Sequence, residues 1–200
     1  MRRQFFALSL VALLPLPAAA HHPMGGAMPE TLWQGFASGI GHPVIGLDHL
    51  AFLVAAGVLA AALPRGEALR AIAGFLAAGM VGLTLHMTGI GLGMTEALVA
   101  ASVLLAGLAL LVAKRVSARA LLLGFALAGL FHGHTFAEAL IGAEATPIIA
   151  YLAGLAVIQG GLMLGAMALA RATRAQCLRP AMGAAASFAG LGFLVVALVG

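Results

Sequence analysis

Apolar residues run through this chain in long unbroken blocks, and the polar residues fall mostly where blocks begin or end. Six such blocks cover Val44–Leu63, Ala68–Ile90, Met94–Ala113, Ala120–Leu140, Pro147–Leu169 and Ala181–Val199. Each holds about 19–23 residues, the length a helix rising 1.5 Å per residue needs to cross ~30 Å of hydrocarbon. None alternates in polarity as a barrel strand must. The pattern predicts an all-α membrane protein, a bundle of six transmembrane helices. Ahead of the first block, "TLWQGFASGIG" is apolar but too short to cross alone, and reads as an interfacial or re-entrant helix with Trp33 at headgroup depth. Gly35/Gly39 and Gly161/Gly165 are spaced as small-xxx-small pairs that let helix backbones approach closely.

The first twenty residues follow a different pattern. Arg2 and Arg3 precede "FFALSLVALL", and "PLPAAA" ends in the small-residue pattern of a secretory cleavage site. The expected organisation is therefore a cleaved signal peptide at 1–20, an outer N-terminal segment at 21–43 and a six-helix domain at 44–200. Cleavage after Ala20 would expose His21 and His22 at the new N-terminus.

Basic residues set the orientation. The turns after blocks one, three and five carry Arg65 and Arg70, then Lys114, Arg115 and Arg119, then Arg171, Arg174 and Arg179, while the other turns carry none. Cytoplasmic loops concentrate Lys and Arg. The mature N- and C-termini are thus expected outside, in the periplasm, with the chain in a bacterial inner membrane.

Composition narrows the classes. The chain is 63% hydrophobic and 8% charged, with mean hydropathy +1.13, against about 25% charged in a soluble domain. Its net charge of +4 is confined to short loops without interleaved aromatics, so no nucleic-acid partner is expected and membrane lipid is. Cys177 is the single cysteine, which excludes an internal disulfide and a cysteine metal cluster. Lys114, the sole lysine, lacks the glycines of a phosphate-binding loop.

The polar residues inside the blocks carry the chemistry. With the orientation above, His42, Asp48, His49, His86, Glu96, His132, His134 and Glu138 all fall in the outer part of the bundle. An ionisable group at membrane depth costs about 2.5–3.5 kcal/mol on insertion scales, and it persists when it pairs or faces a cavity. No Lys or Arg accompanies these groups in the outer part of the blocks. Imidazoles and carboxylates without cations call for one, and a divalent transition metal is the economical choice. His42 and His49 are two helical turns apart and share a face if the helix reaches back that far, with Pro43 in its first turn and His42 at its cap. His134 and Glu138, spaced i, i+4, share a face while His132 points elsewhere, so the ligand set must be assembled between helices. Each residue also has a structural alternative: an interhelical hydrogen bond for His86, cavity lining for His134, the helix dipole for Glu96. His21 and His22 could capture metal with the free amine or merely flank the cleavage site.

Three segments resemble a known family. "HPVIGLDH" (His42–His49) is similar to the H-P-x-x-G-x-D-H signature of the HupE/UreJ proteins. "FHGHTFAEALIGAEATPIIAYLAGLAVIQG" (Phe131–Gly160) resembles their second signature, and "MTEALVAASVLLAGLAL" their Glu-bearing third span. The resemblance implies a secondary nickel or cobalt permease serving hydrogenase or urease maturation. It implicates His42, Asp48, His49, Glu96, His132 and Glu138. Members often have an aromatic and a Gly where this chain has Phe136 and Ala137, so it departs from the pattern at Ala137, and at His134, which stands in for a His placed elsewhere.

The expected function is accordingly metal uptake, not catalysis. Ni²⁺ is the first candidate cargo and Co²⁺ the alternative; no prosthetic group is expected, and a homo-oligomer is compatible with the sequence. Two other classes compete. An intramembrane zinc-dependent hydrolase would use the same residue types around a bound water, though no H-E-x-x-H is present. A neutral-solute channel would use the polar cluster only to organise the bundle.

Overall fold

The computed structural model describes residues 29–112, 116–173 and 178–199. The expected signal peptide, His21, His22, Lys114, Arg115, Arg174 and Cys177 lie outside the described residues. What is described is helical: α1 (Leu32–Ile45), α2 (Leu47–Ala60), α3 (Arg65–Met87), α4 (Thr95–Leu111), α5 (Ala118–Phe136) with a 3-10 extension (Ala137–Leu140), α6 (Ala145–Ala172) and α7 (Arg179–Val199).

Local chemistry sets several of these ends. Thr31 caps α1 by accepting from the Gln34 backbone N–H at 3.2 Å. The Gln34 side chain reaches back to the Glu30 and Thr31 N–H groups at 2.8 and 3.2 Å, completing a capping box. Ser117 caps α5 in the same way, accepting from Ala120 N–H at 3.2 Å. Just past α2, Arg171 of α6 donates to the carbonyls of Leu63 (2.9 Å) and Ala60 (3.4 Å), the second of which also accepts from the Leu63 N–H at 3.1 Å, so the end of one helix is closed by a cation from another.

The largest departure from the hydropathy reading is at the start. One span was expected from Val44, with Pro43 in its first turn and His42 at its cap. Instead Pro43 lies inside the last turn of α1, and His42 belongs to that turn. Gly46, with φ −70° and ψ 98°, ends α1 and begins α2, and the two helices meet at 78°. Pro43 has no N–H to continue the helical ladder and clashes with the turn before it; one extended residue then redirects the chain. Hydropathy averages over both. The apolar segment ahead of the first block is thus part of α1, and the helix runs through the 43/44 boundary.

Four described helices are long and apolar enough to cross a bilayer: α3, α5 with its extension, α6 and α7. Counting α1 and α2 as one broken span makes five, and α4 is apolar but shorter, with 17 residues.

Helices pair through glycine. The bundle has three extensive contacts, α3 with α5, α4 with α7 and α1 with α6, and α2 packs at the centre against α6 and α4. In the first pair, a Cβ at Gly82, Gly129 or Gly133 would overlap a backbone carbonyl of the facing helix. Gly107, Gly183 and Gly190 meet backbone atoms in the same way between α4 and α7, Gly107 and Gly190 at the nitrogens of Ser187 and Leu104, and Gly35, Gly39 and Gly154 meet carbonyls between α1 and α6. The small-xxx-small expectation holds for Gly35/Gly39, which meet the carbonyls of Pro147 and Tyr151. It fails for Gly161/Gly165, where a Cβ would meet nothing within 4 Å. Spacing alone does not say which face of α6 is turned inward.

A core built from Phe52, Leu53, Leu59, Ile72, Phe75, Val103, Phe125 and Met163 fills the middle of the bundle. A smaller cluster of Leu83, Phe136, Leu140, Tyr151 and Leu155 lies beside the histidines.

Candidate metal site

Gly46 matters here because it lets two histidines seven residues apart leave different helices and still meet. His42, from the last turn of α1, and His49, from the first turns of α2, have ring centroids 6.0 Å apart and nearly perpendicular planes at 86°. Phe136 packs against both, with centroids 5.0 Å from His42 and 4.3 Å from His49. Both histidines are buried. The carboxylate of Asp48 accepts from the His49 backbone N–H at 2.8 Å, and its charge sits in the first turn of α2, where the helix dipole favours it.

His132 of α5 completes the buried group. Its Nδ1 lies 2.8 Å from Nδ1 of His49, and its Nε2 lies 2.9 Å from Oγ of Ser102 on α4. Phe52 and Phe75 close over it, at centroid distances of 4.6 and 5.7 Å. On the far side of His42, Nδ1 lies 2.9 Å from the Tyr151 hydroxyl of α6, which donates to the Phe136 carbonyl at 3.0 Å. Five helices therefore contribute to one polar cluster: α1, α2, α4, α5 and α6.

A second histidine pair lies beside it. His86 of α3 and His134 of α5 approach at 3.2 Å between Nδ1 atoms. Nε2 of His134 lies 3.0 Å from the Ile90 carbonyl and 3.3 Å from the Leu92 N–H. These two backbone groups ask for opposite protonation of one nitrogen. The carbonyl, the closer of the two, selects Nε2–H; the amide selects the lone pair. His132 and His134, two residues apart, thus face different partners, as the helical period requires.

Of the residues singled out from sequence, His42, His49 and His132 come together and His86 joins His134. Asp48 is half-buried beside His49, and Glu96 and Glu138 are exposed. His134 and Glu138 do not share a helical face, because α5 tightens at Ala137 into its 3-10 extension, and His134 is buried while Glu138 faces out. Among the described residues, no group of three or more His, Cys, Asp or Glu stands in metal-holding geometry. The donors are arranged as hydrogen-bonded pairs. His21 and His22 lie outside the described residues.

Two contributors escaped the sequence reading. Tyr151 is the chain's single tyrosine, set in an apolar helix and fully buried; a lone hydroxyl at that position was the available signal. Ser102 sits in "AASVLL" and gave none, since an isolated serine in a helix commonly bonds its own backbone.

The HupE / UreJ protein family model matches residues 8–195 of the chain. The chain is also similar to Protein HupE of Rhizobium leguminosarum bv. viciae, with 30% identity over 187 residues that span 92% of this chain and 95% of that relative. No solved structure matches.

Proposed function

The chain belongs to the HupE/UreJ family, and from that premise we propose that it is a multi-pass secondary permease. Its cargo is a divalent transition metal, Ni²⁺ first and Co²⁺ as the alternative. It works in the bacterial inner membrane, with six crossings, a removed signal peptide and mature termini outside. The orientation rests on the basic turns. Lipid covers the exposed apolar side chains, such as Leu105, Leu123, Val157 and Val195.

The observation that carries this reading is the meeting of His42 and His49 across a broken helix. Imidazole suits nickel and cobalt. The C-terminal end of α1, which holds His42, bears the negative pole of its dipole, and half-helix ends of this kind stabilise cations within bilayers. Two rings bound to one ion would have centroids at most about 6.5 Å apart, from nitrogen–metal bonds of about 2.1 Å; the observed 6.0 Å lies within that reach. Asp48 adds charge in the first turn of α2, and His86 with His134 forms a neighbouring station on the α3–α5 seam.

Uptake requires no nucleotide. A dication moving inward gains ~4.6 kcal/mol per 100 mV, twice the ~2.3 kcal/mol of a single charge, which is over a thousandfold accumulation at 1.36 kcal/mol per decade. The Arg171 bond to the end of α2 ties the broken helix to α6 at its other end, so movement of α2 would pass to α6.

The test is uptake of radiolabelled Ni²⁺ or Co²⁺ into proteoliposomes without ATP, under an imposed inside-negative potential. Accumulation that follows the potential supports the permease. A stoichiometric zinc ion that survives purification, with hydrolytic activity and no flux, would favour the hydrolase instead.

A further inference from the structure

The hydrogen bonds around the buried histidines run in one direction. The Ser102 hydroxyl lies 2.6 Å from the Val99 carbonyl, an atom that can only accept. Its single proton must be there, since two oxygen lone pairs would otherwise face each other at that distance. Ser102 Oγ therefore accepts from His132, whose Nε2 carries the N–H. A neutral imidazole has one N–H and one lone pair, so His132 Nδ1 accepts, and His49 Nδ1–H donates across the 2.8 Å between the rings. The lone pair of His49 is thereby on Nε2.

A second chain reaches the same result at His42. Tyr151 gives its only proton to the Phe136 carbonyl at 3.0 Å, so its oxygen accepts from His42 Nδ1–H at 2.9 Å. The lone pair of His42 is also on Nε2. Metal-ligating histidines commonly donate one ring N–H to a neighbouring acceptor while the other nitrogen ligates, and loss of such a partner typically costs 10–100-fold in affinity. The His86–His134 pair has no such lock, because Ile90 and Leu92 compete for one nitrogen.

We propose that Ser102 and Tyr151 are positioning residues for the metal: Ser102 acts on His49 through His132, Tyr151 acts on His42, and each sets the tautomer that leaves Nε2 to ligate. The inference rests on the permease reading, and on the two chains for its detail. Removing the Ser102 oxygen leaves His132 Nε2–H without its acceptor. His132 then favours the other tautomer, its Nδ1–H donates to His49, and the His49 proton moves to Nε2, where it blocks the metal. Removing the Tyr151 hydroxyl takes away the acceptor of the His42 Nδ1–H, so that proton is no longer held on Nδ1 by it, and leaves the His49–His132 pair unchanged.

The experiment uses full-length protein in lipid, labelled with ¹⁵N-histidine, as wild type, Ser102→Ala, Ser102→Thr and Tyr151→Phe. Imidazole nitrogen shifts from solid-state NMR report each tautomer, and equilibrium dialysis with Ni²⁺ alone reports affinity. Thermal unfolding checks that each variant is folded. In wild type, His42 and His49 are expected as Nδ1–H and His132 as Nε2–H. Ser102→Ala is expected to lose that pattern at His49 and His132 and to bind Ni²⁺ about 10–100-fold more weakly, with Ser102→Thr restoring both. Tyr151→Phe is expected to alter His42 alone, with a similar loss. Unchanged tautomers, or Ni²⁺ binding within twofold of a binding wild type in Ser102→Ala and Tyr151→Phe, would overturn the inference and leave the permease standing. A wild type that neither binds nor carries Ni²⁺ or Co²⁺ overturns both.

Discussion

Gly133→Ala is the sharpest test of how the bundle holds its histidines. Gly133 of α5 faces Gly79 of α3 so closely that an added Cβ would overlap the Gly79 carbonyl, lying 2.5 Å from its carbon and 2.6 Å from the Gly79 Cα. Non-bonded carbons rest at about 3.5–4.0 Å, so the helices must part by about 1 Å. Packed interiors resist such insertions, at a typical cost of about 1–3 kcal/mol. That corresponds to a Tm lower by roughly 2–12 °C, at about 2–4 °C per kcal/mol for a chain of this size. The same movement reaches the next residue, His134, whose Nδ1 contact with His86 is 3.2 Å; about 1 Å more takes it beyond hydrogen-bonding reach. Gly161→Ala is the control. Nothing lies within 4 Å of its added Cβ, and alanine in a helix gains up to about 1 kcal/mol over glycine. Both variants are to be followed by thermal unfolding in one detergent and by Ni²⁺ uptake in vesicles. Gly133→Ala is expected to unfold earlier and carry less metal, and Gly161→Ala to match or exceed wild type in stability. If Gly133→Ala is as stable as Gly161→Ala, the close α3–α5 contact is refuted.

Three further outcomes are expected. Asp48→Asn keeps an acceptor for the His49 N–H but removes the charge at the start of α2; stability should change by less than about 1 kcal/mol while uptake falls more than tenfold, whereas a purely capping role would leave uptake intact. Arg171→Met opens the carbonyl of Leu63 and should lower stability by about 1–2 kcal/mol, read as an earlier unfolding midpoint; an unchanged midpoint would show that the contact is idle. Phe136→Ala, which empties a fully buried ring site against His42 and His49, should cost about 3–5 kcal/mol and suppress uptake, while Phe136→Leu should cost less than about 1.5 kcal/mol; equal behaviour of the two would argue that the ring packs loosely.

Much of the helical layout was legible because hydropathy and length carry it: α3, α5 with its extension, α6 and α7 each fall close to a predicted block. The break at Gly46 was not. It depends on one residue's ψ and on Pro43 lacking an N–H, and both disappear in a window of eighteen residues or more. The convergence of His42, His49 and His132 was anticipated as a need, because buried imidazoles without cations require an explanation. Their pairing was not legible, because it depends on how α2 packs between α4 and α6. Gly161 and Gly165 carry the same spacing as Gly35 and Gly39, yet only the second pair meets a neighbouring backbone. Ser102 shows the limit most clearly: its importance comes from His132, thirty residues away, and from no property of its own segment.

The central claim is that His42, Asp48 and His49 form the place where a divalent metal enters. Its most direct test is initial-rate uptake of radiolabelled Ni²⁺ and Co²⁺ at controlled free-metal concentration, in vesicles holding equal amounts of folded wild type, His49→Ala, Asp48→Asn and, as an exposed acidic control, Glu144→Gln. Uptake is expected in wild type and Glu144→Gln, with a loss of tenfold or more in the other two. Equal uptake in all four proteins, or none in wild type, would contradict it.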